Sequence, residues 1–473
     1  MQEQKTNLEE IINSSMDEIK QKMLLICKNG YKNELDFNSA ISFVGQVKEV
    51  VSDLGCRVVK SYLESRDDDL PAIVSKGKRF LNKGKSTKGI VTSLGRIGIS
   101  RSYYQHRSGG SSLFPLDEKL GVKGEMLMPD VKEVVLFSCA YNTPEESSRL
   151  LEKCSFIKLH PTQIKRAITS TGEFIETPGS EIMDNIRQNE TAPCSDIMAC
   201  SLDGVNVLLN QPGKKKGRPF ERPSNENAPA SSYKNAMCGS ISHYNIVEEN
   251  GKRTPLRIGS KYIARMPEER YPIFKREFEK ELKSAAPDSS VAKLVITDAH
   301  KSISGYLKDN PAFNGFQRII DFYHASEHLS HMAEAIHGKT SEGAKKWYKK
   351  YRHILKNEGQ GVSKVIRSTE YYLGNGKYNK TMKKEIQRHL GYFKKHKKFM
   401  QYATYAEKGW PIGSGVIEAA CKSVVKQRMC RSGQRWSIKG GQAILNLRSI
   451  AKSDRWNSFW NEFSTKYYGN LAA

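Results

Sequence analysis

The sequence predicts an α/β fold: a mixed sheet flanked by helices, interrupted by an all-α insertion, and preceded by a mostly α N-terminal region with a small β hairpin. Three observations predict it. Strand-length apolar runs alternate with helical patterns between residues 196 and 322. Apolar residues recur at helical spacing near the N-terminus, at Ile11, Ile12, Met16, Ile19, Met23 and Leu24. Residues 325–408 are rich in lysine and aromatics and carry no strand pattern.

Residues 1–75 read as the N-terminal helical region. Residues 76–129 read as a small β region. Its hairpin is Ile90-Val-Thr-Ser-Leu94, then Gly95-Arg96, then Ile97 to Tyr104 with period-two alternation. Gly109, Gly110 and Pro115 close that region.

Residues 130–185 read as three short helices and a linker. Thr143 can cap the second helix, Pro144 fits its first turn, and Glu146 completes a capping box. The third helix starts at His160-Pro161-Thr162-Gln163 and carries Lys165 and Arg166 near its beginning. Short helix, turn, then a helix presenting polar and basic residues fits a helix-turn-helix in a major groove. An ordinary helical hairpin fits the pattern equally well.

Strands are expected at 196–209, 231–247 and 252–264, a helix at 267–284, a strand at 291–297, a helix at 300–308 and a strand at 317–322. These form the first part of a catalytic domain, residues 186–324. The all-α basic insertion follows at 325–410, and residues 411–473 supply the domain's final helices.

A chain of 473 residues suggests two to four domains. Lys and Arg outnumber Asp and Glu by 76 to 51, a formal charge of +25, which favours a polyanionic partner. Residues 339–408 alone hold 19 basic and 5 acidic residues. Nucleic acid is the expected partner. The nine cysteines are scattered without a C-x-x-C pair, which argues against a disulfide framework or a zinc ribbon. The polar N-terminus lacks a signal peptide's apolar core, and no 18-residue apolar run exists. The expectation is a reduced, cytoplasmic, nucleoid-associated protein with no membrane partner.

Four acids stand where strands or helices begin and end. Asp203 closes the run Ile197-Met-Ala-Cys-Ser-Leu-Asp203-Gly204, where Gly204 would admit close approach of backbone or ligand. Asp298 closes the run that starts at Val291, and Asp321 follows Arg318-Ile-Ile320. Ligands gather at the carboxyl ends of such strands. Glu418 lies in Ile412-Gly-Ser-Gly-Val-Ile-Glu418-Ala-Ala-Cys-Lys422. Hard divalent cations want carboxylate oxygens, and two metals sharing an acid can activate a nucleophile and stabilise a leaving oxygen. Any one of these aspartates taken alone is more often a strand-end cap or turn residue than a metal ligand. Glu418 could serve a helix dipole or pair with Lys422.

The segment 408–422, continuing through Gln427-Arg428-Met429 and Ser432-Gly433-Gln434-Arg435-Trp436, resembles the signature of DDE transposases of the Kra-type bacterial insertion sequences, themselves similar to Mutator-like transposases. The resemblance extends to Leu202-Asp203-Gly204, Thr297-Asp298 and Asp321-Phe-Tyr-His324, and covers residues 80–450 in order. It implies an RNase H-like catalytic domain with Asp203, Asp298 and Glu418 as catalytic triad and metal ligands for two Mg²⁺ or Mn²⁺ ions. It matches Asp321 and His324 to a supporting C/D-x-x-H motif. It also implies a DNA transposase that binds terminal inverted repeats, hydrolyses a phosphodiester and transfers the strand to target DNA, as a homodimer or larger assembly. Two departures stand out. Thr297-Asp298-Ala299 replaces Gly-Asp-Gly at the second acid, and Gln105-His106-Arg107-Ser108 replaces cysteines after Tyr103-Tyr104.

Further DNA contacts are expected at Lys214, Lys215, Lys216 and Arg218, which resemble an AT-hook core, and at Lys422, Arg428, Arg431 and Arg435 after the glutamate. Three alternatives remain. One is a transposase-derived DNA-binding protein without catalysis. Another is a zinc hydrolase using His324, His328 and His331 with Asp321, since those histidines share a helical face. The third is a nuclease indifferent to sequence.

Overall fold

The computed structural model describes residues 2–32, 34–75, 77–110, 112–210, 232–285, 291–308 and 310–472. They separate into two compact units: residues 1–182 with 457–473, and residues 183–456.

In the first unit, α1 (Gln2–Lys32) is followed by α2 (Phe37–Glu64), which opens on a capping box formed by Asp36 and Ser39. Arg57 on α2 ties the pair together by bonding Glu18 on α1 and Asp53 at 2.9 Å. A four-stranded antiparallel sheet follows, β1 (Ala72–Ser75), β2 (Lys78–Thr92), β3 (Gly95–His106) and β4 (Ser112–Leu113), in chain order. The hairpin is thus longer than its sequence pattern, because β2 continues through polar residues after a bulge between Asn82 and Lys85. Ile90, Ile97 and Ile99 alternate into a core with Leu63, Leu116 and Val122. Leu116 belongs to the short helix α3 (Pro115–Lys119), whose Asp117 is buried against Arg101 at 2.7 Å and Lys88 at 2.9 Å.

Three helices then stack as expected: α4 (Pro129–Tyr141), α5 (Pro144–Cys154) and α6 (Pro161–Glu176). Thr143 and Glu146 make the expected capping box on α5, and His160 and Gln163 make a second one on α6. Next comes α7 (Ile182–Asn189), with which the chain enters the second unit.

That unit is built on a five-stranded mixed sheet: β5 (Ile197–Leu208), β6 (Tyr233–Glu249), β7 (Lys252–Arg265), β8 (Ala292–Thr297) and β9 (Gln317–Ile320). Its order is β7-β6-β5-β8-β9; the first three pair antiparallel, and β8 and β9 add in parallel. Strand β8 is apolar because both faces are covered. One face packs Met198, Cys200, Leu202 and Val295 on Phe274, Phe278 and Leu282 of α8 (Pro272–Ala285) and on Ile303 of α9 (Lys301–Lys308). Helix α8 starts later than its sequence pattern, after Arg270 and Tyr271 adopt positive φ and Pro272 opens the first turn.

The other face packs Ile197, Ala199, Leu294, Ile296 and Ile319 beneath a helical block. That block comprises α10 (Phe322–His337), α11 (Glu342–Asn357), α12 (Gly361–Asn375), α13 (Lys380–His396) and α14 (Tyr402–Glu407). Its aromatics, including Trp347, Phe393, Tyr402 and Tyr405, are core residues. The chain continues through α15 (Gly415–Ala420), a π-helical stretch at Cys421–Lys426, α16 (Gln427–Met429) and α17 (Ile438–Lys452).

The last helix, α18 (Trp456–Ala472), belongs to the first unit rather than to the catalytic domain's end. There Phe463 meets Phe174 edge-on at 5.7 Å, and Tyr467 covers the ammonium of the fully buried Lys132 at 3.9 Å. Lys132 also pairs with Glu125 at 2.9 Å. Burying an aromatic face contributes about 1.5–3 kcal/mol, enough to decide where a terminal helix docks. No described helix is long and apolar enough to cross a membrane.

Candidate active site

Strand register brings the aspartates into one row. Strands β5 and β8 pair from Ile197 with Ala292 to Cys200 with Val295; the same offset continued three residues sets Asp203 beside Asp298. Strands β8 and β9 end at Thr297 with Ile320, so the next step sets Asp298 beside Asp321. Asp321 N–H still donates to Thr297 O at 3.0 Å, which carries the ladder to that step. Asp298 and Asp321 therefore follow the carboxyl ends of two adjacent parallel strands, where α/β sheets collect ligands, while Asp203 sits midway along β5, just past the stretch that pairs with β8.

Asp321, His324 and Glu418 bring ligand atoms within 4.8 Å of one another, among the described residues the one such group of three. Asp321 is fully buried, His324 half-buried and Glu418 exposed. Strand β9 stops one residue before Asp321, because Asp321 caps α10: its Oδ1 accepts from Tyr323 N–H at 2.7 Å. His324 then lies on the first turn of α10 beside it. Glu418 arrives from α15, and Ser414 at the start of that helix joins the two acids. Its hydroxyl donates to Asp321 Oδ2 and lies 3.4 Å from Glu418 Oε1. Phe322 N–H donates to Ile412 O at 2.9 Å, so backbone as well as side chain stitches the two segments. Gly413 permits this approach: a Cβ there would lie 2.7 Å from the Tyr323 ring. Among the described residues no ion pair joins Glu418 to Lys422.

Asp203 and Asp298 stand outside that group. Asp298 Oδ1 accepts from His300 N–H at 3.1 Å, as a turn residue would. Asp203 Oδ1 accepts from Gly204 N–H at 2.6 Å, and its Oδ2 lies 3.7 Å from Cys421 Sγ, one turn beyond Glu418. Cys421 in turn bonds Cys238, which faces Asp203 across β5 and β6. That bond, with burial and the nearby carboxylate, pushes the Cys238 thiol well above its usual range. The space over Gly204 is taken by the Asn235 side chain rather than left for a ligand.

The π-helical stretch begins at Cys421, immediately after the glutamate's helix. Such insertions cluster at functional sites because they re-aim side chains at the cost of regular hydrogen bonding. Here a buried arginine braces the stretch: Arg448 Nε donates to Val424 O at 2.6 Å and Nη2 donates to Ser423 O.

The three histidines of α10 diverge instead of forming one set. His328 Nδ1 lies 2.8 Å from His389 Nδ1, and its ring stacks on Tyr392 with centroids 3.7 Å apart. His331 stacks on His389 at 5.6 Å, and His389 Nε2 reaches Glu385 at 3.1 Å. Burial, then neighbouring His389, pushes the His328 pKa down to about 4. Only His324 joins the acids, so the zinc set of His324, His328 and His331 is not assembled.

The basic residues divide by exposure. Lys165 and Arg166 are exposed on α6, Lys165 pairing with Glu145 at 2.8 Å. Lys422 and Arg435 are exposed, and Arg431 is half-buried with Nε donating to Gln427 O at 3.1 Å. Arg428 corrects the sequence reading. It is 2% exposed, lies over the Trp436 ring at 5.0 Å and reaches Gln434 Oε1 at 3.4 Å, so it supports the helix end instead of facing a polyanion. Lys214, Lys215, Lys216 and Arg218 lie outside the described residues.

Sequence reasoning missed Ser414 as the link between the acids, Cys421 beside Asp203, Arg448, and Tyr392. Ser414 and Cys421 carried a signal in their nearness to Glu418; Arg448 and Tyr392 carried none.

A family model described as an uncharacterised protein family, UPF0236, matches residues 32–190. That stretch ends before Asp203 and all the other acids of the row. A UPF0236 protein of Caldanaerobacter subterraneus subsp. tengcongensis is 24% identical over 166 residues, 35% of this chain and 34% of that protein. The match thus spans about a third of the relative's length. Among solved structures the chain is similar to the Drosophila P element transposase strand transfer complex, at 10% identity and a TM-score of 0.23, over 71% of this chain and 80% of that one.

Proposed function

We propose that this chain is a DNA transposase whose second unit is an RNase H-like, metal-dependent strand transferase. The observation that carries the reading is the row of Asp203 on β5 with Asp298 and Asp321 at the ends of β8 and β9, and Glu418 closing over Asp321 and His324. A mixed sheet with helices on both faces supports it, as does the formal charge of +25.

The donor chemistry fits divalent cations. Two carboxylates and one imidazole within 4.8 Å suit Mg²⁺ or Mn²⁺ and offer no thiolate of the kind a structural zinc site uses. Asp321, His324 and Glu418 would hold one ion, and Asp203 with Asp298 the other. Asp321 therefore takes the role that the sequence reading gave Asp298, and Asp298 becomes its neighbour in the row. The chemistry such ions supply is charge neutralisation at a phosphate and stabilisation of the attacking and leaving oxygens.

The chain's own residues do the rest. Ser414 fixes Asp321 and Glu418 in one geometry, so little rearrangement is needed when a phosphodiester arrives. Lys422 and Arg435, exposed beyond Glu418, hold the scissile strand through its phosphates. Hydrolysis frees a 3′-OH, and the same hydroxyl then attacks target DNA; both are in-line displacements, so one acid cluster serves both. In the first unit, α4, α5 and α6 act as the helix-turn-helix-like reader of the terminal repeats, with Lys165 and Arg166 at the DNA. Joining two ends requires at least two protomers.

The test is cleavage of a labelled duplex made from DNA flanking the coding sequence, with Mg²⁺ or Mn²⁺. Wild type is compared with Asp203→Ala, Asp298→Ala, Asp321→Ala and Glu418→Ala. Loss of cleavage with retained binding in the 203, 321 and 418 variants is expected, with a smaller loss for 298. Binding without cleavage by wild type would reduce the protein to a non-catalytic DNA binder.

A further inference from the structure

Tyr392 on α13 has a buried hydroxyl oxygen with no hydrogen-bond partner. Buried hydroxyls are ordinarily satisfied, since an unpaired one is destabilising. The nearby Tyr402 shows the usual outcome: its hydroxyl donates to Ile320 O at 2.9 Å. Tyr392 is not loosely held. Its ring lies flat on His328, 5° from parallel at 3.7 Å, and meets Phe393 edge-on at 5.5 Å. His328 is one helical turn from His324, so the stack borders the Asp321, His324 and Glu418 group.

Burial, and after it the negative charges of Asp321, Asp298 and Glu327, push the phenol's pKa upward. A protonated phenol has one proton to donate, and here that proton has no acceptor. Asp321 belongs to the candidate group and Asp298 to the row beside it, yet neither accepts from the hydroxyl. The missing acceptor is therefore an oxygen that arrives with a ligand. At a carboxylate cluster that collects cations, such an oxygen comes from an anion.

We propose that Tyr392 is a catalytic residue whose hydroxyl donates a hydrogen bond to a non-bridging oxygen of the phosphodiester attacked at the Asp321, His324 and Glu418 site. This rests on the strand-transferase reading. It gives the all-α block a direct part in the chemistry, because α13 delivers a donor that the sheet cannot.

The experiment compares wild type, Tyr392→Phe and Tyr392→Leu as full chains. Nicking of supercoiled plasmid and cleavage of the flanking-DNA duplex are followed with Mn²⁺. DNA affinity, Mn²⁺ affinity by electron paramagnetic resonance, and Tm are measured beside them. Tyr392→Phe removes only the oxygen and is expected to cut about 100-fold more slowly, as loss of one transition-state donor does. Its DNA and Mn²⁺ affinities should be unchanged and its Tm unchanged or raised, because an unpaired buried group has gone. Tyr392→Leu, which also loses the His328 stack, should lower Tm. Wild-type cleavage rates in Tyr392→Phe would overturn this inference and leave the strand-transferase reading intact. Slower cleavage accompanied by weaker Mn²⁺ binding or a lower Tm would assign the hydroxyl a structural role and also overturn it. Absence of cleavage by wild type would remove the function reading and this inference with it.

Discussion

Asp321 and Glu418 share one hydroxyl, that of Ser414, although one acid caps the helix after the last strand and the other arrives beyond the whole helical block. A serine has one proton, which is given to Asp321; Glu418 is held by proximity and by its short helix. The consequence is that the pair's separation depends on a residue that need not touch a cation itself.

Ser414→Ala should therefore weaken Mn²⁺ binding by about 10- to 100-fold, the usual effect of removing a partner that orients a ligand. The buried Asp321 carboxylate would also lose a donor, at a stability cost of about 1–3 kcal/mol. Mn²⁺ titration and urea unfolding measure the two effects. Unchanged affinity would mean that Tyr323 N–H and the backbone stitch at Phe322 suffice to hold Asp321.

Two buried histidines set an acid limit on stability. Burial pushes both His328 and His396 down to about 4, helped by His389 for the first and Lys395 for the second. An unfolded histidine takes up its proton near pH 6.5. Between about pH 6.5 and 4 the unfolded chain thus binds more protons, so stability is complete above that window and is lost as pH falls through it. With solvent screening at the half-buried His328, the combined loss is on the order of 1–2 kcal/mol. Tm should fall by several degrees from pH 7 to 5, and His328→Phe, which keeps a ring on Tyr392, should flatten the slope. An equally steep slope in that variant would trace the loss to other groups.

The strand ends were legible in the sequence because they are apolar and covered on both faces, as at Leu294 to Thr297. Asp321 was harder. Ile319 and Ile320 make the strand appear to run on, and only the bond to Tyr323 N–H reveals a helix cap. A cap turns the carboxylate toward Ser414, which periodicity cannot register. Arg428 misled for a different reason, and Arg448 passed unnoticed for the same one. Charge in a sequence suggests a surface, but Arg428 and Arg448 are each 2% exposed, one over Trp436 and one on the π-turn carbonyls. Their partners are fixed by tertiary packing, and nothing local announces them. Helix α18 was assigned to the wrong unit on chain order alone, since its aromatics could pack on either.

Glu281 is 1% exposed and bonded to Arg187 and Arg455, each at 2.9 Å, so α8 is anchored to α7 and to the turn after α17. Burial works against these charges, and their mutual pairing offsets it; Glu190, 2.8 Å from Arg455 Nε, and Glu281 hold the Arg455 guanidinium above its ordinary pKa. Removing one partner should cost more than the pair contributes. Arg455→Met is expected to lower unfolding stability by about 3–5 kcal/mol, read as a drop in urea midpoint at constant slope. A loss under 1 kcal/mol would mean that Lys261, 2.9 Å from Glu190, takes over the charge.

The π-helical stretch makes the sharpest link between packing and chemistry. Cys421, its first residue, meets Asp203, and Arg448 donates to the carbonyls of Ser423 and Val424 within the wide turn. Arg448→Met removes those donors while keeping most of the apolar stem. The freed carbonyls favour a return to regular α-helix, which shifts the register of everything from Cys421 onward but leaves Glu418, upstream, on α15. Cys421 should swing from Asp203, and Lys422 should change face. In native protein, Cys421 is buried and should resist maleimide for hours; in the variant it should label within minutes. DNA cleavage should fall about tenfold or more, a loss carried by Asp203 and Lys422 rather than by the glutamate, so Mn²⁺ affinity at the Asp321 and Glu418 group should hold. Continued protection of Cys421 would show that the wide turn is fixed by its apolar packing, with Arg448 merely filling the space behind it.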